Sequence, residues 1–472
     1  MESEPTAEAE HARWSDLAKG QTFAHLILVM LGISLHAMDI FIISTILPSV
    51  VADIGGEAYY AWPSAIYLVF SIMGAASAGV IGANQGLKRG PILAAAAYLV
   101  GSLICANAPD MPIFLVGRAF QGIGGGLLMA LSYAMISLLF ADKFRPHMFA
   151  LVSIVWGAAA LLGPTLGGSF AQNDFWRGVY WLTIPIFAAL ALLIWKGITH
   201  DYRQPTQLAL PWRRLLYLGG SIFLIAFGSR FEDNWLRLGM ICVAVLGMSF
   251  FLWRDSTADN KLFPTRPASL SHPVGVAYWL FFLLSVTYTP INIFMPLAAQ
   301  KLHAIPPSLA GYVSAAMAFG WSVSAFISSG AKIRAQRILM VTGPFCFVGG
   351  IFGQSFFAVD GPIWALCVFV FMTGAGIGQC FSHITNRAMA LSRKGEEAIT
   401  STGIPTMQSI GIAFGAAFAG ILANSAGLSE GISFTTVEAT MSTIYLYTIM
   451  PGILVLALAL RIAWLTRSWE PK

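Results

Sequence analysis

Residues 23–51 read FAHLILVMLGISLHAMDIFIISTILPSVV, and Asp39 is the one formally charged side chain in the run. A helix rises about 1.5 Å per residue and the hydrocarbon core of a bilayer is about 30 Å thick, so about 20 apolar residues are enough to cross it. Lipid offers no hydrogen-bond partner to open backbone, so a run like this is expected to be a membrane-spanning helix. The same reading, carried outward, finds apolar segments near 61–83, 91–108, 112–140, 147–170 and 177–196, then near 213–229 and 235–253. A last set follows near 273–299, 307–330, 336–357, 361–391, 400–425 and 441–465. Fourteen spans are therefore expected, and 213–229, with its short turn Ser229-Arg-Phe-Glu-Asp-Asn234, is the least marked of them.

Composition agrees. The 472 residues are 57% hydrophobic and 10% charged, against about 25% charged in soluble domains. Too little polar side chain is present to coat a water-soluble particle of this size, and disordered, nucleic-acid-binding and disulfide-scaffold classes are excluded with it. Cys105, Cys242, Cys346, Cys367 and Cys380 each sit in an apolar run and form no CxxC pair, so no redox or zinc framework is expected, and no metal or cofactor. The acidic opening MESEPTAEAE lacks the basic-then-apolar order of a cleavable leader, so the first apolar segment is expected to remain as an anchor.

The net charge of +5 is a topology signal. With the N-terminus cytoplasmic, 21 of the 27 Lys and Arg residues fall on the inner side, four (Arg177, Arg230, Arg237, Lys301) on the outer side, and Arg118 and Arg387 within spans. Cytoplasmic loops carry such an excess, so both termini are expected inside. The expected organisation is an all-α polytopic membrane protein. A tail (1–22) precedes a six-helix bundle (23–196), a cytoplasmic loop (197–212) and two additional helices (213–253). A cytoplasmic linker (254–272), a second six-helix bundle (273–465) and a tail (466–472) complete it. Two halves around a midplane site are the usual build of secondary transporters.

Asp39 alone among the 22 acids lies deep in a span, where a carboxylate marks a proton relay or a ligand counter-ion, or forms a structural ion pair with Arg118. Arg118 opens the stretch Gly117-Arg-Ala-Phe-Gln121-Gly122-Ile-Gly124-Gly125-Gly126, an intramembrane guanidinium among glycines that permit close helix contact. Gly163-Pro164-Thr-Leu-Gly167-Gly168 combines a kinking proline with small residues. On the tenth span of a twelve-span core, His383, Asn386 and Arg387 are expected on one face by i, i+3, i+4 spacing, with Arg387 close enough to the inner end to snorkel to the cytoplasm. Further side chains expected around a substrate cavity are His36, Trp62, Tyr67, Gln121, Trp156, Asn292, Trp321 and Gln408. Trp195, Trp212, Trp235 and Trp253 fall at span ends and read as interfacial anchors.

Asp39 with Thr45 and Leu47-Pro48, Arg118 with Gln121-Gly122, and Gly163-Pro164-x-x-Gly167-Gly168 resemble the fourteen-span drug:proton antiporters of the major facilitator superfamily. There they are the first-span acidic motif, motif B and motif C. Stretches of the second half, among them Met295-Pro296, Gly374-Ala-Gly376-Ile-Gly378 and Gln408-Ser-Ile-Gly411, are similar as well. The resemblance implies alternating access, with Asp39 and Arg118 coupling the proton and Gly163, Pro164, Gly167 and Gly168 serving conformational change. The family's motif A between the second and third spans keeps Gly86, Lys88 and Arg89 here, but Ala83 stands where the family has an acid that helps latch the cytoplasmic side.

The expected function is therefore proton-coupled export of small amphiphilic or drug-like molecules from a cytoplasmic (inner) membrane by a monomer, with the proton and the small molecule as partners. A carrier of lipid-like metabolites and an uncoupled facilitator are the alternatives. No Walker A motif provides for ATP, and no HExxH or GxSxG supports an intramembrane enzyme. One deep acid, neutralised by Arg118, favours neutral, zwitterionic or anionic amphiphiles over dications.

Overall fold

The computed structural model describes residues 17, 19–140, 144–198, 212–228, 231, 233–257, 263–265, 267–329, 331–393 and 396–467. The outer portions of both expected tails, most of the loop 197–212 and residues 258–262 and 266 of the expected linker lie outside them. Among the described residues there are thirteen α-helices, and twelve segments are long and apolar enough to cross a membrane. They are α1 (Gly20–Ile54), α2 (Trp62–Ala106), α3 (Met111–Leu139), α4 (Arg145–Gln172), α5 (Gly178–Gly197), α6 (Trp212–Gly228) and α7 (Asn234–Ser256). After these come α8 (Pro273–Lys301), α9 (Pro307–Ser328), α10 (Ile333–Phe357), α11 (Ile363–Ala390), α12 (Glu397–Ser425) and α13 (Phe434–Leu465). Thirteen helices stand against the fourteen expected, because the segments near 61–83 and 91–108 run on through residues 62–106 as two helical legs joined at a kink where Gly86 adopts φ 79°. Only glycine reaches that backbone region without cost, so the chain turns there and resumes its helix within a residue.

Helices α1–α5 pack on one another, α8–α13 form a second group, and α6 and α7 pair with each other, with α6 leaning on α2 and α12. The two groups meet chiefly through α4 against α9 and α2 against α12, and the short 3₁₀ turns Glu57–Tyr59 and Leu428–Glu430 touch beside them. Several of the named contacts between the groups gather at one end. Asn424 donates to the Ala58 carbonyl at 2.8 Å, Gln172 donates to Ser308 at 2.7 Å, Thr165 bonds Tyr312, and Tyr60 stacks on Phe294 at 4.9 Å between ring centres.

Local sequence explains where these helices start. Asp110 accepts from the Ile113 amide ahead of Pro112 at the start of α3, and Ser433 with Thr436 makes a reciprocal capping box for α13. Trp195, Trp212, Trp235 and Trp253 are all exposed at helix ends.

Candidate functional site

The close approach of α2 and α3 sets the site. A side chain on Gly101 would stand 2.6 Å from the Gly117 carbonyl and the Gln121 amide, so only a bare backbone lets the two helices approach this closely. Arg118 is thereby carried into the interior of the first group, where it is fully buried.

Its guanidinium meets Asp39 of α1 in a fork: Nη1 donates to Oδ1 and Nη2 to Oδ2, both at 2.9 Å. Such a bidentate geometry is the strong form of an ion pair, and the flat guanidinium suits it better than an ammonium would. Nη1 also donates to Gln121 Oε1 at 2.8 Å, and Nε to the Pro63 carbonyl at 3.3 Å. Tyr98 Oη of α2 donates to Asp39 Oδ1 at 2.6 Å, so three hydrogen bonds converge on this carboxylate. Gln121 passes its amide to Ser102 at 3.0 Å, and Thr183 of α5 donates to the same hydroxyl at 3.3 Å. Two of these donors meet Oδ1 and one meets Oδ2, so of the carboxylate's about four acceptor sites one, on Oδ2, is left where a proton can add. A cavity of about 50 Å³ beside the carboxylate, lined also by Met38, Tyr98, Thr183 and Ile186, has room for water there.

His36 lies one turn before Asp39 and shares a 2.9 Å hydrogen bond with Tyr67, whose ring in turn lies 4.4 Å under the Arg118 guanidinium. Trp156 meets the His36 ring edge-on. The structure thus brings together His36, Asp39, Tyr67, Arg118, Gln121 and Trp156. Trp62 packs instead on Phe223 and Phe227 of α6, and Gln408 is half-buried on α12.

In the second group, Trp321 lies against Phe381, and Asn292 lines a separate small pocket. His383 and Arg387 are buried but Asn386 is exposed, which corrects the expectation of a shared face. Residues 386 and 387 are separated by about 100° around a helix, and the packing boundary of α11 runs between them. Arg387 is 1% exposed and donates at 3.2 Å to Thr466, the residue that follows the last turn of α13. Of the residues between the second and third spans, Gly86 makes the bend of α2, Lys88 sits 4.4 Å over the Trp195 ring, and Arg89 is exposed.

The glycines after Pro164 divide their work. Gly163 and Gly167 face α1, where a side chain would meet Phe41 Cβ at 2.6 Å and Ile42 O at 3.2 Å respectively. Gly168 faces the other group, and a Cβ there would stand 2.5 Å from the Ser308 amide nitrogen. Pro164 itself lies under Gly311 of α9. Tyr98, Ser102 and Thr183 did not emerge from the sequence reading. The signal available was Tyr98, Ser102 and Cys105 at i, i+4, i+7, one polar stripe in an otherwise apolar segment. Among the described residues no cluster of three His, Cys, Asp or Glu side chains is arranged to hold a metal.

Residues 29–416 match the family model of the Major Facilitator Superfamily. The chain belongs to that superfamily. A "Probable multidrug-efflux transporter" of Mycobacterium tuberculosis (strain ATCC 25618 / H37Rv) is 30% identical over 439 residues, covering 89% of this chain and 91% of the relative. "Multidrug resistance protein 3" of Bacillus subtilis (strain 168) is 27% identical over 379 residues, 76% of this chain and 72% of that one. Among solved structures, a bacterial homologue of the human lysosomal transporter Spinster, inward-facing and unoccupied, aligns with TM-score 0.65. It is 14% identical, over 96% of this chain and 99% of that one. A D-xylose–proton symporter aligns with TM-score 0.61 at 13% identity, over 91% and 97%. At these identities the two structures establish the superfamily's fold. Membership of the superfamily, with relatives that carry efflux names, marks the chain as a transporter and not an enzyme.

Proposed function

We propose that this superfamily member is a proton-coupled exporter of small drug-like amphiphiles, with Asp39 as the coupling acid and Arg118 as its counter-charge. The observation that carries the reading is the sealed fork between Arg118 and Asp39, capped by Tyr98, inside a transporter fold. A charge pair at bilayer depth is expensive to maintain, and a carboxylate that exchanges its Arg partner for a proton supplies a two-state element for coupling. The efflux names of the relatives support the direction and the class of cargo.

The membrane path we infer has fourteen crossings: the two legs of α2 about Gly86 count separately, and α6, 17 residues long, covers about 25 Å of rise. In that path both termini are cytoplasmic in an inner membrane, as the Lys/Arg split supports, and the end where α4 meets α9 faces outward. The protein acts as a monomer on a small molecule and a proton.

Purified protein in proteoliposomes with an imposed pH gradient is the test, read with a panel of lipophilic dyes and drugs. Transport that follows the gradient in the wild type and stops in Asp39→Asn, with binding of the same compound retained, is the expected result. Gradient-driven accumulation by Asp39→Asn would overturn the coupling assignment.

A further inference from the structure

Ser314 on α9 is 5% exposed and its hydroxyl has no hydrogen-bond partner. Ser322, Ser324 and Ser328 on the same helix each donate to a carbonyl of their own helix. An unmatched buried hydroxyl is unfavourable wherever nothing meets it. Ser314 lines a cavity of about 10 Å³, shared with Asn292 of α8, Met317 of α9, Gln354 of α10 and Thr373 of α11. A space of this size admits one water-sized group and no ring.

The donors and acceptors around it are all uncharged. Gln354 Nε2 is committed to Thr373 Oγ1 at 2.6 Å, and Thr373 donates onward to the Phe369 carbonyl at 2.9 Å. Gln354 Oε1 receives only Tyr445, at 3.4 Å, which leaves it accepting capacity. Ser314 has both donor and acceptor capacity to spare, and Asn292 adds an amide. The ionised pair of the first group, by contrast, finds its partners in its own bundle, in each other and in Tyr98, Gln121 and the Pro63 carbonyl.

We propose that Ser314, Gln354 and Asn292 form a subsite for one uncharged hydroxyl- or amide-type group of the transported molecule. Its position ties occupancy to the seam between the two groups. Ser314 lies one turn from Gly311, which packs on Pro164, and Asn292 lies two residues from Phe294, which stacks on Tyr60. A group held here therefore bears on the same two helices, α8 and α9, that meet the other half. The proposal rests on the transporter reading and narrows its cargo to amphiphiles with a neutral polar head.

Calorimetry on the full chain in lipid nanodiscs, with empty discs as blank, tests it. The probes are 1-decanol, decyltrimethylammonium and decanoate, matched in chain length. Saturable binding of 1-decanol, weakened about three- to tenfold by Ser314→Ala and by Gln354→Leu, is expected from the loss of one neutral hydrogen bond. Binding of the two ions should move by less than twofold. Absent decanol binding, decanol affinity indifferent to both substitutions (a site for water alone), or equal weakening of all three probes would each overturn the subsite. Flux in proteoliposomes separates the two claims. Ser314-dependent decanol binding without gradient-driven flux of any compound refutes the transport reading and leaves the subsite standing.

Discussion

Gly168→Ala isolates the seam between the two groups from everything else in the glycine–proline stretch. The added Cβ would stand 2.5 Å from the Ser308 amide nitrogen, where ordinary contact needs about 3.4 Å or more, so α4 and α9 have to separate by about 1 Å. Overpacking of this kind costs about 1–3 kcal/mol. In the alternating-access reading, that penalty falls only on the conformer in which the Ser308 end is closed, the one in which the two helices touch. At about 1.4 kcal/mol per tenfold, the closed-to-open ratio at that end falls by about fivefold to somewhat over a hundredfold. Gly167→Ala is the control. Its Cβ would meet Ile42 and Ile46 of α1 at 3.2 Å, a contact within one group that persists in both conformers. Spin labels at positions 174 and 430, both exposed at the Ser308 end, read the separation once the five native cysteines are replaced by serine. The distance distribution should shift toward the long component in Gly168→Ala and stay near wild type in Gly167→Ala. Identical distributions in all three proteins would refute the reasoning, since the contact would then carry no conformational preference.

Asp39→Asn leaves the Arg118 guanidinium buried without its counter-charge, and thermal unfolding should register a loss of about 3–5 kcal/mol. The double variant Asp39→Asn/Arg118→Gln should recover part of it, and additive losses would argue that the two residues do not act as a pair. Tyr98→Phe removes one of three donors to the carboxylate, so the pH profile of gradient-driven transport should move while substrate affinity stays; an unmoved profile denies Tyr98 a positioning role. At the start of α8, His272 Nδ1 accepts from the Val274 amide at 3.4 Å. Burial, and then the charge of Arg393, hold this imidazole below its usual range, against an opposing pull from Glu396. The unfolded chain thus takes up a proton first as pH falls below about 6.5, and folded stability should decline from there downward. His272→Ser keeps a capping acceptor without the titration, so its unfolding temperature should depend less on pH over that window. Equal pH dependence in both proteins would exclude His272 as a contributor.

What the sequence determined by itself is what membrane insertion reads locally. Runs such as 23–51 are apolar enough to cross lipid whatever their neighbours do, so the helical class and most element positions follow from hydrophobicity alone. The cost of charge in lipid likewise singles out Asp39 and Arg118 without any knowledge of distance. Which way each side chain faces was decided only by tertiary packing. Consecutive residues are separated by about 100° around a helix, so neighbours part company at a packing boundary. Gly167 turns to α1 while Gly168 turns to α9, and Arg387 turns inward while Asn386 turns out. Tyr98 of α2 and Arg118 of α3 meet on Asp39 of α1 only once three helices distant in the chain have packed, and Ser314 is left unmatched because three other helices wall its hydroxyl off. Hydropathy is a property of a segment, whereas a hydrogen bond between helices is a property of their register and rotation, and those are fixed only when the whole bundle packs.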